Sequence, residues 1–238
     1  YSPHTFRCCQ HNVAQTWPWY AQNLWLATAD DGLATWLYGA CTLTARVGTE
    51  GRTITVDTDT AYPFSDTVEL NITMSEPVEF PLYLRIPRWC QDFAVYVNDA
   101  SVAVTPRPGA FLRIHRKWTD GDRVQIIMPM ELSISQWPRN HSLTVDRGPL
   151  SYSLRIEEDW QQAGGTEDWP EWEVFPKTAW NYGLDLDPED GTKSLSVKTN
   201  SNIPEQPWTV ENAPIEIEAP ARKVPAWGME GPMIQEVP

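Results

Sequence analysis

Basic residues are scarce in this sequence. Its 238 residues contain 18 Lys and Arg against 32 Asp and Glu, which gives a formal net charge of -14. A protein that binds nucleic acid needs clustered Lys and Arg to neutralise phosphate groups. We therefore expect no nucleic-acid partner.

Long apolar runs are also missing. A helix that crosses a membrane needs about 20 consecutive apolar residues, and no segment of the sequence reaches that length, so we expect no membrane partner. No secretory pattern opens the chain, but the first residue is Tyr1 rather than Met. We expect a piece of a longer protein, and the compartment stays open between cytoplasm, periplasm and secretion.

Cysteines are few, and two of the four are adjacent. A disulfide between Cys8 and Cys9 would close a strained ring, so we do not expect one. Cys41 and Cys90 fall in or beside predicted strands. We expect both to be buried free thiols, and a bridge between them is the alternative.

The Cys8–Cys9 pair allows three interpretations from its local chemistry. The two residues can be packed thiols without a role, or a redox pair, although redox pairs usually have CxxC spacing. They can also be zinc ligands, because thiolate is a favoured ligand of zinc. His4 and His11 lie close enough in sequence to complete such a site. The residues by themselves do not decide between these interpretations.

The sequence predicts one helix followed by many short strands. Apolar residues recur at helical spacing at Val13, Trp17, Tyr20, Ala21, Leu24 and Trp25. Asn12 or Thr16 is expected to cap the start of this helix, and "ADDG" at 29–32 is expected to stop it. After Gly32, short alternating segments separated by turn residues predict a β-sandwich over residues 33–135.

The last hundred residues are less regular. We expect a second, irregular β-rich domain over 136–238, with residues 159–191 forming a long loop or a set of turns. Thirteen tryptophans occur in the chain, and several fall between Trp160 and Trp180. Trp stacks on sugar rings but is also a common core residue. This segment motivates one hypothesis of function, a non-catalytic β-sandwich module for carbohydrate binding or dimer contact.

Four motifs resemble a known family when they are taken together and in order. They are "FRCCQHN" at 6–12, "LYLRIPRWCQDFAVYVND" at 82–99, "KWTDGDRVQIIMPM" at 117–130 and "DRGPLSYSL" at 146–154. The sequence resembles glycoside hydrolase family 127, the β-L-arabinofuranosidase family, in its C-terminal part. Arg85, Trp89 and Asn98 belong to these motifs, and we interpret them as structural.

The resemblance implies a fold and a domain organisation. The family has a six-hairpin (α/α) barrel followed by β-sandwich domains. Residues 1–32 would be the terminal helical segment of that barrel, and the β-sandwich would follow. The fold class we predict is therefore mainly β, with one helix that would close an (α/α)6 barrel largely outside this chain.

The resemblance also implies a chemistry. Cys8 corresponds to the family's nucleophile, and Cys8 and Cys9 both correspond to ligands of Zn²⁺. The other ligands, a Glu and a Cys, and the general acid/base Glu would lie upstream, so we expect this chain alone to lack them. The implied protein is a retaining zinc-thiolate hydrolase of β-L-arabinofuranosides or a related plant-type sugar. Its partner would be a glycoside or oligosaccharide, and a homodimer is possible.

Overall fold

The computed structural model describes residues 7–138, 141–200, 202–230 and 233–235. The chain is mainly β, as predicted, and divides into two compact units. One unit comprises residues 16–131, and the other comprises residues 1–15 together with 132–238. The described residues include no helix that is long and apolar enough to cross a membrane. The predicted division at residues 32 and 135 stays a prediction.

Helix α1 spans Arg7–Gln22. The helix begins before the two predicted capping residues. It ends before "ADDG", and the side-chain amide of Asn23 donates to the carbonyl of Trp19 at 2.8 Å and closes the last turn. Trp25 therefore belongs to the first strand, where it is buried, whereas Trp17 on the helix is 69% exposed. The predicted apolar face thus joined residues from two different elements.

Two sheets make up the unit of residues 16–131. The first has the order β1-β2-β6-β9, with β1 at Trp25–Ala27, β2 at Leu33–Thr35, β6 at Val78–Arg85 and β9 at Phe111–Trp118. The second has the order β3-β4-β5-β10-β7-β8, with β3 at Cys41–Val47, β4 at Arg52–Thr60, β5 at Thr67–Met74, β7 at Ala94–Val97, β8 at Ala100–Ser101 and β10 at Asp122–Ile127. Strands β2 and β6 pair in parallel, and the other pairs are antiparallel.

The core of this unit lies between its two sheets. Three alternate side chains of β5 are buried, and β6 buries Phe80, Leu82 and Leu84. These side chains belong to one apolar cluster. The alternation follows from the pleat, which directs successive side chains to opposite faces of a strand. The predicted β-sandwich is confirmed.

The other unit is built from smaller sheets. One sheet has three strands, β11 at Leu132–Gln136, β12 at Leu143–Arg147 and β13 at Leu150–Tyr152. Four strand pairs follow: β14 (Glu158–Gly165) with β15 (Pro170–Pro176), β16 (Tyr182–Leu184) with β19 (Ala221–Lys223), β17 (Ser196–Thr199) with β18 (Ile215–Glu218), and β20 (Met229–Glu230) with β21 (Met233–Ile234). A 3₁₀ helix spans Gly191–Ser194. Few described side chains of this unit are buried, namely Val145, Pro214 and Ile215.

The Trp-rich segment is a hairpin rather than a loop. Strands β14 and β15 pair in antiparallel register, with an irregularity between Gln162 and Gly164. Gly165 has a positive φ of 82° at the turn, which glycine adopts without steric cost. The expectation of a loop was wrong for this stretch, because its Gly and Pro residues mark the bulge and the turn of a hairpin.

Candidate functional site

The predicted catalytic pair lies at the start of α1. The backbone of Cys8 and Cys9 belongs to the first turn of this helix, whereas their side chains lie outside the described part of the chain. The assignments of Cys8 as nucleophile and of both residues as zinc ligands therefore stay predictions. The side chain of His11 and the whole of His4 lie outside the described part as well.

The described residues contain no group of three His, Cys, Asp or Glu side chains placed to hold a metal ion. Cys41 and Cys90 are free thiols, and Cys41 is half-buried while Cys90 is fully buried. Burial, followed by the nearby Asp92 carboxylate, raises the pKa of the Cys90 thiol to about 11. A thiol with this pKa stays protonated at neutral pH, so Cys90 is suited to packing and not to nucleophilic chemistry.

Asn98 joins two of the sequence motifs by hydrogen bonds. Its side chain donates to Asp122 Oδ1 at 2.7 Å and accepts from the backbone N–H of Arg123 at 2.9 Å. Asp122 Oδ2 also accepts from the backbone N–H of Thr119 at 2.9 Å. These bonds connect the turn after β7 to the start of β10, which supports the structural interpretation of Asn98.

Arg85 and Trp118 also hold the first sheet together. The hydroxyl of Tyr38 donates to the backbone carbonyl of Arg85 at 2.6 Å. The indole of the fully buried Trp118 donates to the backbone carbonyl of Phe80 at 3.0 Å. The motif residues therefore stabilise the sandwich, and the described part of the chain gives them no catalytic geometry.

An exposed polar group on the first sheet was missed by the sequence analysis. The hydroxyl of Tyr83 donates to Asp30 Oδ2 at 2.7 Å, and Arg113 Nε donates to the Tyr83 hydroxyl at 3.0 Å. The hydroxyl of Thr28 donates to Asp30 Oδ1 at 2.6 Å. The Thr28 hydrogen bond, followed by that from Tyr83, lowers the pKa of the Asp30 carboxyl. Asp30 is therefore ionised at neutral pH.

Two exposed aromatic rings lie on the same sheet. The centroids of the Trp36 and Phe111 rings are 6.2 Å apart, and the ring planes differ by 18°. Trp36 is 42% exposed and Phe111 is 39% exposed. The alternation of polar and apolar residues in β6 and β9 predicts which side chains face outward, but their partners in other strands depend on the strand order.

Comparison with known proteins finds a family model that matches the sandwich. Residues 32–130 match the model described as the middle domain of GH127, β-L-arabinofuranosidase. The family resemblance expected from the four motifs is thereby confirmed. No curated protein matches the chain.

Solved structures similar to this chain are glycoside hydrolases. A GH127 β-L-arabinofuranosidase from Geobacillus stearothermophilus T6 has a TM-score of 0.57 and 22% identity, and the match covers 90% of this chain and 33% of that one. A protein described as a glycoside hydrolase has a TM-score of 0.47 and 23% identity over 68% of this chain and 31% of its own. A GH127 β-arabinofuranosidase has a TM-score of 0.48 and 21% identity over 68% and 30%.

The similarity to the Geobacillus stearothermophilus T6 structure establishes the fold of this chain. The present chain spans about a third of the length of each solved GH127 or glycoside-hydrolase chain that it matches. Activity, substrate and metal content are therefore properties to be proposed for this protein and tested.

Proposed function

We propose that this chain is the C-terminal portion of a retaining glycoside hydrolase that cleaves β-L-arabinofuranosides or a related plant-type sugar. The observation that carries the proposal is the GH127 middle-domain match over residues 32–130, which lies C-terminal to the Cys8–Cys9 motif in the sequence. The relatives named above are glycoside hydrolases by their descriptions. The proposed substrate class follows from those relatives.

Cys8 is the proposed nucleophile. Its sulfur would attack the anomeric carbon of the sugar while an upstream acid donates a proton to the leaving oxygen. Water, deprotonated by the same upstream group, would then break the carbon–sulfur bond and release the thiolate, so that the anomeric configuration is retained.

Zn²⁺ is the proposed cofactor, and Cys8 and Cys9 would hold it. Thiolates are preferred ligands of zinc, and a bound Zn²⁺ would keep a ligating thiol deprotonated at neutral pH. Two cysteines fill half of a tetrahedral site, and the described residues offer no cluster that completes it. The remaining ligands are expected in the upstream part of the protein.

The test uses the longer protein that includes this chain. We expect Cys8→Ser to abolish hydrolysis of an aryl β-L-arabinofuranoside. Both Cys8→Ser and Cys9→Ser should lower the zinc content measured by mass spectrometry. Cys41→Ser is the matched control, because Cys41 is a free, half-buried thiol in β3, and it should leave both activity and zinc content unchanged. Wild-type turnover by Cys8→Ser would contradict the proposal.

A non-catalytic module for carbohydrate binding or dimer contact is the second proposed function. The exposed Trp160 and Trp169 and the half-exposed Trp172 of the β14–β15 hairpin support the dimer contact. The rings of Trp160 and Trp172 are in edge-to-face contact, with centroids 6.2 Å apart. Light scattering across a concentration series tests the dimer, and a mass that stays at one chain up to high concentration would count against it.

A further inference from the structure

We propose that the outer face of the β1-β2-β6-β9 sheet binds a neutral oligosaccharide, with Trp36 and Phe111 contacting a sugar ring and with Asp30, Tyr83 and Arg113 binding its hydroxyls. This site is separate from the proposed nucleophile, and it does not depend on Cys8 or on zinc. It assigns carbohydrate binding to a defined surface of the sandwich rather than to the Trp-rich hairpin.

The strand register brings these residues to one face. Ala34 pairs with Tyr83, and Tyr83 pairs with Arg113. Because side chains alternate along a strand, Phe111 lies on the same face as Arg113, two residues away on β9. Trp36 follows Ala34 by two residues, and its ring is nearly parallel to that of Phe111. The aromatic pair and the polar group are therefore neighbours.

The aromatic pair offers an apolar surface of suitable shape. A sugar ring exposes C–H groups on its faces, and these pack against the face of an aromatic ring. Trp36 and Phe111 are nearly parallel, 18° apart, so their faces share an orientation. In the β14–β15 hairpin the rings of Trp160 and Trp172 are 77° apart. The sheet surface thus suits a flat ligand better than the hairpin does.

The polar group is ordered by its own hydrogen bonds. Asp30 accepts from Thr28 and Tyr83, and Arg113 donates to Tyr83. An Arg side chain has five N–H donors, more than these contacts use. Asp30 also has further acceptor capacity on its two oxygens. About half of each of these two side chains is exposed, so donors and acceptors are available together for the hydroxyls of a ligand.

The charges of this group balance each other. Arg113 lies 3.5 Å from the ionised Asp30 carboxylate, so the pair presents strong donors and acceptors without a net charge. The Asp30 carboxylate would repel an anionic ligand, and the Arg113 guanidinium would repel a cationic ligand. A neutral polyol suits both, because each hydroxyl can donate to the carboxylate or accept from the guanidinium.

The experiment titrates the 238-residue chain, carrying Cys8→Ser, with neutral arabino- and xylo-oligosaccharides. Calorimetry and the NMR signals of the tryptophan indoles report binding. We expect saturable binding, a loss of affinity of about tenfold for Trp36→Ala because its stacking contact is removed, and a several-fold loss for Arg113→Met. The matched control is Trp160→Ala, an exposed tryptophan of the hairpin, which should bind as the parent chain does.

Three results would overturn the inference. The first is that the parent chain fails to bind oligosaccharide at millimolar concentration. The second is that Trp160→Ala loses affinity for the oligosaccharide while Trp36→Ala binds normally. In the longer protein, a Trp36 indole shielded from acrylamide would show that another part of that protein covers the face. Thermal melts of each variant exclude unfolding as the cause. Because Cys8 is already replaced, failure here leaves the activity test of the proposed hydrolase untouched.

Discussion

At the scale of single residues, Asp122 is the charged residue whose side chain is buried among the residues that the structure describes. Its side chain is 4% exposed, and a buried carboxylate is unfavourable unless it is hydrogen-bonded. Burial, the largest influence, raises its pKa, but the hydrogen bonds from Asn98 and Thr119 and the charge of Arg116 outweigh burial, so the pKa is lowered overall. Folding therefore stabilises the ionised form.

The prediction is that Asp122→Asn lowers the free energy of unfolding by about 2 kcal/mol at neutral pH, the usual value for hydrogen bonds to a charged group. A carboxyl whose pKa is depressed by folding contributes stability above its unfolded pKa, about 3.9 for Asp. That contribution is lost as the pH falls through the folded pKa. Urea unfolding from pH 7 to pH 3 should show the difference between the two proteins shrinking below pH 4.

Asp99→Asn is the control for this charge. Asp99 is 83% exposed, and it forms its ion pair with Arg123 at the surface. Exposed pairs contribute about 0–1 kcal/mol, so this variant should unfold close to the wild type at every pH. Equal destabilisation by the two substitutions would contradict the role assigned to Asp122.

At the scale of elements, the turn between β1 and β2 positions the polar group of the proposed sugar site. The backbone N–H of Gly32 donates to the hydroxyl of Thr28 at 3.0 Å, and that hydroxyl donates to Asp30. A Cβ atom added at Gly32 would lie 2.2 Å from the backbone carbonyl oxygen of Pro81. The close approach of this turn to β6 therefore requires glycine.

We predict that Gly32→Ala destabilises the chain by about 2 kcal/mol, because overpacking a closed contact forces the backbone to shift. It should also change the NMR signals of Asp30 and Thr28. Gly39→Ala is the matched control, since a Cβ there would make an ordinary contact of 3.5 Å with Leu24. A melting temperature for Gly32→Ala equal to that of Gly39→Ala would show that the turn has more room than the structure gives it.

The β14–β15 hairpin is an element with little burial. Isolated two-stranded ribbons are marginally stable in water, and most described side chains of β14 and β15 are exposed. The contact between Trp160 and Trp172 joins its two strands, and such cross-strand aromatic pairs contribute about 0.2–1 kcal/mol. The element is therefore held mainly by its own hydrogen bonds and rings.

At the scale of the whole molecule, burial is unevenly distributed. The apolar cluster lies in the unit of residues 16–131 and includes Leu70, Leu82 and Val124, each at most 1% exposed. In the other unit, Val145, Pro214 and Ile215 are the buried side chains among the described residues. Hydrophobic burial is the dominant favourable contribution to folding, so the two units should differ in local stability.

We predict that the backbone amides of β5, β6 and β10 exchange with deuterium most slowly. The strands of the second unit should exchange faster at the same pH, because they open with lower free energy. Mass spectrometry of peptic peptides measures both. Leu70→Ala should lower protection in the sandwich strands, with a cost of about 2–5 kcal/mol, whereas uniform protection of the two units would contradict the expectation.

Several features were predictable from the sequence. The alternation in β4, β5 and β10 and the turns between them gave the sandwich, because the pleat of a strand fixes a period of two. The four motifs gave the resemblance to GH127, which the match over residues 32–130 confirmed. The free thiols of Cys41 and Cys90 were also expected. The catalytic assignment of Cys8 came from resemblance, and it stays a prediction.

Tertiary structure alone decided which residues meet. Residues that are helix-spaced in the sequence, such as Trp17 and Trp25, were separated because the helix ends at Gln22 and the next strand enters the sandwich core. Asp30, Tyr83 and Arg113 come together because β2 pairs in parallel with β6, and β6 pairs with β9. Sequence determines the period and the outward face of each strand, but the order of strands depends on how the whole chain packs its core.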